Sequence, residues 1–522
     1  MGHSSVTAAL FLATLGGFAV LLGWGSRWPR GARTAALTAL SLTAVLAHSH
    51  SLTRDSVNAP LTISSPAIHL HEFLHYYLGS KYFEELGHAP LYEAVVIADY
   101  EDDPTHFRAE NRFRDLRTNQ VERVRGDVIR EGSLAKRRFN DDRWADFKAD
   151  VGLLRSGFVS LSAWHDSAIV RDHGYNGSPL TTLLLGALAN QPFVPSITFL
   201  QSMRWMDLLL FGVIALVIGQ RLGRAAGATF VVLWFANPFN DYGYIGGSFL
   251  RYNFALALVL AWDALDRGHR KQAGAWLAIA THLRIFPALF AAGLLLHDLL
   301  RPGPAARRAA LRKNRPLYTS LFATGVAIAI LTAFTPAPDE RNVWEHFEDR
   351  ISVHARALAF NAVGLSAAFA YSPEQSIQGR KAALADGERT PWEDLVSQTL
   401  VARNPIRFAT MILLLGATLL CARRLPERYA IFLGFPLLFT LMYSSHYYYL
   451  SLGLLALVFH DHRAALLSLT AGFGAIALLS TPTLFDDDVL RFAWSSVAAG
   501  ATLIGIGAVA TRPPTRPWQD AD

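Results

Sequence analysis

Residues 404 to 428 read NPIRFATMILLLGATLLCARRLPER, an apolar run ending at Cys421 and closed by Arg423, Arg424 and Arg428. A spanning helix needs roughly 20 apolar residues, because hydrocarbon offers no water to backbone N–H and C=O groups. Lys and Arg are retained in short cytoplasmic loops. The segment therefore reads as a membrane span whose inner end is marked by its arginines. Working outward, comparable runs occur near 5 to 24, 33 to 48, 203 to 219, 225 to 238, 250 to 265, 272 to 299, 317 to 335, 429 to 442, 446 to 459, 463 to 480 and 489 to 510. The 272 to 299 run reads as two short helices meeting at 284 to 287. The expected fold is an all-α polytopic membrane protein with about 11 to 13 transmembrane helices.

Composition agrees with that class. The 522 residues are 52% hydrophobic and 17% charged, with mean hydropathy +0.23, too apolar for an ordinary soluble enzyme of this size. Basic short loops fall at Arg27/Arg30/Arg33, Arg221/Arg224, Arg267/Arg270/Lys271, 301 to 315, Arg423/Arg424/Arg428 and Arg512/Arg516, which sets them on the cytoplasmic side. The net charge of +6 resides mainly in those loops, so anionic lipid accounts for it and nucleic acid does not. The single cysteine, Cys421, excludes a disulfide framework and a thiolate cluster. The first run follows the uncharged start MGHSSVTAAL, without the basic region of a secretory signal, and reads as a retained helix.

The alternating connections then face outward. They give an N-terminal hairpin at 1 to 48, a long outer loop at 49 to 202, central membrane helices at 203 to 335, a second outer loop at 336 to 403, and C-terminal membrane helices with a short tail at 404 to 522. For the alternation to hold, the apolar stretch 179 to 199, bounded by Pro179, Pro192 and Pro195, must be re-entrant or surface-lying. Within the first outer loop, residues 66 to 98 carry Phe73, Tyr76, Tyr77 and Phe83 at helical spacing and suit juxtamembrane helices. Residues 99 to 150 are highly charged and read as a solvated helical lid.

Ionisable groups at a membrane boundary cost several kcal/mol to place, so those present are functional candidates. The densest group is His69 to Tyr92, where Glu72 is flanked by His69, His71 and His75 and followed by Tyr76 and Tyr77. Partial desolvation raises a carboxylate's pKa and makes it a better general base toward a sugar hydroxyl. A second group is Asp241 and Arg251 in an outward turn, where Arg251 beside a helix start suits an anionic ligand. The third is His282 and Arg284 before Pro287, a cation interrupting an apolar run whose counter-ion must come from the protein or from a substrate phosphate. The fourth is His446, within the tyrosine-rich 443 to 449, suited to contacting sugar or phosphate.

These motifs together resemble a known family. The run Glu72-Phe-x-x-Tyr76-Tyr77, followed by Pro90-Leu91-Tyr92, is similar to the first outer-loop motif of polyprenol-phosphate-dependent GT-C glycosyltransferases, nearest the bacterial alpha-mannosyltransferase branch. The resemblance extends to 175 to 188, to the inner turn 266 to 274 leading into Arg284-x-x-Pro287, and to His446-Tyr-Tyr-Tyr-Leu450. The chain departs from that pattern in carrying Glu72 for aspartate, Arg284 where lysine is common, and the charged insertion at 99 to 150.

The resemblance implies a multi-pass bacterial inner-membrane enzyme with its active site facing the periplasm. It would move a mannose-like sugar from a polyprenyl-phosphate donor to a lipid-linked or glycan acceptor. Glu72 becomes the base, Arg284 with Arg251 and His446 holds the departing phosphate, and His75, Tyr76, Tyr77, Asp241 and His282 contact substrate. The residues neither require nor exclude a divalent metal.

Two other functions compete. His71-Glu72-x-x-His75 also spells a zinc-protease signature, with His71 and His75 as ligands and Glu72 activating water. It lacks an evident third ligand, for which His69, His88, His165 and Asp241 are the nearest options. A non-enzymatic lipid or sugar transporter would carry paired broken helices in two similar halves, and no such internal symmetry is visible.

Overall fold

The computed structural model describes residues 5–52, 72–104, 112–119, 121–123, 126–156, 170–203, 206–240, 250, 252–354, 359, 361–373, 392–480 and 487–513. His69, His71, His165, Asp241 and Arg251 lie outside them. Helices dominate, as the apolar runs require. Helix α1 (Ser5–Trp24) folds back on α2 (Arg30–Leu52) through the turn Gly25–Arg27 and packs along a C-terminal helix, Arg463–Leu479, which in turn packs on Asp488–Ala510.

Among the described residues, four helical stretches are long and apolar enough to cross a membrane: Thr7–Arg27, Pro304–Ala333, Asn404–Arg424 and Val489–Ala510. This is fewer than the apolar runs suggested. Several runs form helices of only 12 to 17 residues, such as Met206–Leu222, Arg224–Phe235 and Ala288–Leu299. The runs at 429 to 442 and 446 to 459 are not continuous α-helices. They break into 3-10 turns over Glu427–Leu433 and His446–Leu454, separated by Ser444–Ser445, which pairs antiparallel with Ala362–Val363. The apolar surface that remains outside is large. Leu413 is 72% exposed on Asn404–Arg424 and Phe322 74% exposed on Pro304–Ala333, faces that water would penalise.

The first outer loop builds its own core. Helix α3 (Leu91–Asp102) is followed by a two-stranded antiparallel pair, β1 (Arg112–Arg114) and β2 (Val121–Arg123), then α4 (Gly126–Lys136) and α5 (Asp141–Ser156). The charged stretch is therefore neither wholly helical nor wholly solvated. Trp144, Phe147, Val151 and Leu154 of α5 point inward and join Phe73, Tyr77, Tyr82 and Val95 in one buried cluster. Part of the 66 to 98 stretch joins the same buried cluster. Phe73–Leu78 forms a π-helical turn with all six residues buried, packed against both α5 and the helix Pro179–Ala189. Helix α6 (Pro179–Ala189) has 11 residues, about 16 Å of rise and short of a span, and packs against this segment.

The 272 to 299 run divides as its sequence suggested. Helix α7 (Arg270–Leu283) ends at Arg284, whose backbone is extended, and α8 (Ala288–Leu299) restarts after Pro287. Proline lacks an N–H and disfavours helix in the residue before it, which accounts for the interruption. Helix α7 lies against α9 (Pro304–Ala333) at contact distance, because a Cβ at Gly274 would fall against the Leu317 carbonyl oxygen. That close approach fixes where Arg284 emerges.

Candidate functional site

The break between α7 and α8 leaves carbonyls without helical partners, and α6 supplies donors for them. The Ser178 hydroxyl donates to the His282 carbonyl, and the Thr181 hydroxyl donates to that of Leu283 at 3.1 Å. Ser178 also caps α6, accepting from the Thr181 N–H. The start of α6 and the end of α7 thus lock together. Arg284 projects from this junction and is 7% exposed.

Its guanidinium donates to the Tyr76 hydroxyl at 2.7 Å and lies 5.0 Å from the centroid of that ring. The Tyr76 hydroxyl donates to Asn176 Oδ1 at 2.7 Å. Asn176 Nδ2 in turn lies 3.1 Å from His354 Nε2. Tyr175, Tyr447 and Tyr448 are further electrostatic neighbours of Arg284, and the Tyr448 ring stacks on Phe286 at 4.8 Å. Among the described residues, no carboxylate forms an ion pair with Arg284. Among the described residues, its hydrogen-bond partner is the Tyr76 hydroxyl and its stacking partner the Tyr76 ring.

Glu72 immediately precedes the π-helical turn that carries Tyr76, and it is 6% exposed. The three residues His75, Tyr76 and Tyr77 diverge to three different neighbours. His75 Nε2 is 2.6 Å from the Tyr92 hydroxyl, and its Nδ1 is 3.8 Å from the Asp172 carboxylate. Tyr92 donates to the Asp172 carbonyl at 3.2 Å. Tyr77 turns away toward the lid, donating to Asp150 at 3.0 Å beside the Lys81–Asp150 ion pair of 2.7 Å. Tyr82 donates to the same carboxylate, so Lys81, Tyr77 and Tyr82 surround Asp150. Burial and then Asp150 push both tyrosine pKa values far up.

The loop carrying Asp172, Tyr175 and Asn176 is held from α10 (Val343–His354). Buried Arg350 donates to the carbonyls of Leu116 at 2.7 Å, Tyr175 at 3.1 Å and His173. Burial pulls its pKa down to about 10. Next to it, His88 stacks on Tyr175 at 5.2 Å and lies 3.1 Å from the Gly177 carbonyl. Burial pulls its pKa down to about 3, against the opposing pull of that carbonyl.

The residues singled out by sequence are thus partly assembled. Tyr76 and Arg284 touch, with Glu72 one helical turn away on the same segment. Tyr77 belongs to the lid cluster. His282 hydrogen-bonds the Ala278 carbonyl at 2.9 Å, and its ring lies 6.0 Å from that of Trp344 and nearly perpendicular to it. His446 is buried beside Tyr447 and Phe492, one and two residues before Tyr447 and Tyr448 near Arg284. Asn176, Asp172, His354 and Arg350 were not singled out. The signal for Asn176 was a polar turn, 173 to 178, running straight into the proline-led helix α6.

Among the described residues, no group of three His, Cys, Asp or Glu is arranged to hold a metal ion. Comparison with protein-family models, with curated proteins and with solved structures finds no match to this chain.

Proposed function

We propose that the chain is a multi-pass membrane glycosyltransferase that takes its sugar from a polyprenyl-phosphate donor and passes it to a hydroxyl acceptor at the outer face. The observation that carries this reading is Arg284, a buried guanidinium neighboured by Tyr76, Tyr447 and Tyr448 and lacking a carboxylate ion pair among the described residues. An unpaired buried charge is expensive, and a phosphate oxygen entering beside it restores the balance. The same cation serves the reaction. Breaking the bond between the anomeric carbon and the phosphate oxygen leaves the electron pair on phosphate, where a fixed cation in a water-poor site stabilises it.

Glu72 takes the acceptor's hydroxyl proton as the new carbon–oxygen bond forms. Its near-complete burial keeps competing water away from the carboxylate. Tyr76 holds Arg284 in place and is itself oriented by Asn176. Mannose is the sugar suggested by the resemblance of the motifs, and the acceptor is a lipid-linked or glycan hydroxyl. The zinc-protease alternative would have to take His75 away from Tyr92 and Asp172.

The test uses purified full-length protein and a panel of polyprenyl-phosphate sugars, with release of polyprenyl phosphate as the readout. Turnover of one donor that disappears in Glu72→Gln supports the proposal. Absence of release with every donor and acceptor tried overturns it.

A further inference from the structure

A guanidinium can only donate hydrogen bonds, so Arg284 sets the direction of the bonds that follow it. It donates to the Tyr76 oxygen, the Tyr76 hydroxyl donates to Asn176 Oδ1, and the Asn176 amide therefore turns Nδ2 toward His354 Nε2 at 3.1 Å. An amide nitrogen also only donates. His354 Nε2 must then present its lone pair, which assigns a neutral imidazole with its proton on Nδ1.

Helix α10 holds this corner from both ends. Arg350, one turn before His354, donates to the carbonyls of His173 and Tyr175, just ahead of Asn176. Trp344 donates to Thr332 Oγ1 of α9 at 3.1 Å, tying the start of α10 to that span. The titratable and charged groups recorded at the corner, among the described residues, are His173, whose ring lies 5.8 Å from that of His354, Arg350 on α10, Asp172 and Arg114 around His173, and His75, which reaches the loop at Asp172. Burial pulls the His173 pKa down to about 4, so His173 stays neutral where an ordinary imidazole titrates.

We propose that His354 is a positioning residue for the donor phosphate, acting on Arg284 through Asn176 and Tyr76 and only in its neutral form. The inference rests on the reading of Arg284 as the cation that holds that phosphate. A proton on His354 Nε2 sets two donors face to face. The Asn176 amide then turns over, giving Oδ1 to His354 and Nδ2 to the Tyr76 oxygen. That oxygen now meets two donors, Arg284 and Asn176, and the Tyr76 proton loses its acceptor on Asn176. Tyr76 must rotate, and Arg284 loses the bond that aims it.

The experiment measures equilibrium binding of a panel of short-chain polyprenyl-phosphate sugars to purified full-length Glu72→Gln protein between about pH 5 and pH 8. That background prevents turnover and removes Glu72 as a titrating group, and the donor's phosphodiester keeps one negative charge throughout. Affinity should fall roughly tenfold toward the acid end, the loss of about one charge-assisted hydrogen bond. Adding His354→Gln, whose amide oxygen accepts from Asn176 at every pH, should flatten the profile. Adding His354→Leu should give the weak affinity at every pH. A flat profile with His354 present, or a slope that survives in His354→Gln, overturns this inference and leaves the donor reading standing. Absence of binding by every donor at every pH overturns the donor reading and this inference with it.

Discussion

Replacing Arg284 with methionine should lower activity without lowering stability, and this opposition of signs distinguishes a substrate-holding cation from a structural one. In the fold, Arg284 gains a charge-assisted hydrogen bond to Tyr76 at 2.7 Å, worth about 1.5–3 kcal/mol. Its position 5.0 Å from the same ring adds about 1–2 kcal/mol. Desolvating the guanidinium costs several kcal/mol, and no described carboxylate pairs with it to offset that loss. Methionine fills much of the volume, and the Tyr76 hydroxyl keeps its bond to Asn176, so no buried polar atom is stranded. The variant should unfold within about 1 kcal/mol of wild type or up to about 4 kcal/mol more stably. Its kcat/KM for donor turnover should fall by about 10²–10³, the loss of one preorganised charge-stabilising group. The assay pairs donor-free thermal unfolding with single-turnover release of polyprenyl phosphate. A variant destabilised by about 3–5 kcal/mol, the cost of orphaning a salt-bridge partner, would refute the reasoning, as would wild-type turnover.

Glu72→Gln should abolish sugar transfer while donor binding, measured by donor-induced thermal stabilisation, persists; parallel loss of both would deny Glu72 a role as base. Lys81→Met should cost about 3–5 kcal/mol, because Asp150 is left buried with only the Tyr77 and Tyr82 hydroxyls. In protein that remains folded its kcat should be unchanged, and a large kcat loss without destabilisation would place the lid cluster in the chemistry. His88 binds its proton near pH 6.5 when unfolded and only near 3 in the fold, so stability is complete above about pH 6.5 and falls as the pH drops. At pH 5 the loss from this residue is about 2 kcal/mol. Denaturant midpoints of wild type and His88→Gln at pH 5 and 7 should show the variant with the flatter profile; identical slopes would rule His88 out as the cause.

Period and proline were enough to read the division at 284 to 287, because both act within the chain itself. The helical class follows from the same local information. Helix length was harder, since an apolar run over 429 to 442 or 446 to 459 looks like a span until strand pairing of Ser444–Ser445 with Ala362–Val363 interrupts it. That pairing joins segments more than 80 residues apart and leaves no local trace. The lid failed for a related reason. Its charges are real, yet Arg155 folds onto Asp99 and Lys136 onto Glu101, so the charged face is satisfied while Phe147 and Val151 turn inward. At the site, Tyr76 and Tyr77 are adjacent and chemically alike, and nothing local says that one reaches Arg284 and the other Asp150. Only the tertiary positions of α5 and the α7–α8 break separate them.

That separation bears on how Glu72 is held. The turn Phe73–Leu78 is π-helical, a form that is rare in proteins and common at functional sites. Its successive side chains are tied to independent bodies: His75 to the 172 loop, Tyr76 to the helix break, and Tyr77 with Lys81 to the lid. Loss of one tie leaves the other two to fix the backbone, so Tyr77→Phe, which removes about 1 kcal/mol of hydrogen bonding, should move Glu72 little. Loss of the Tyr76 tie is different in kind. Tyr76 orients Arg284 as well as the turn, so Tyr76→Phe should slow transfer more than Tyr77→Phe at equal cost in stability. Equal kinetic effects from the two substitutions would mean that the turn acts as one rigid unit and that the contact to Arg284 has no separate part in the reaction.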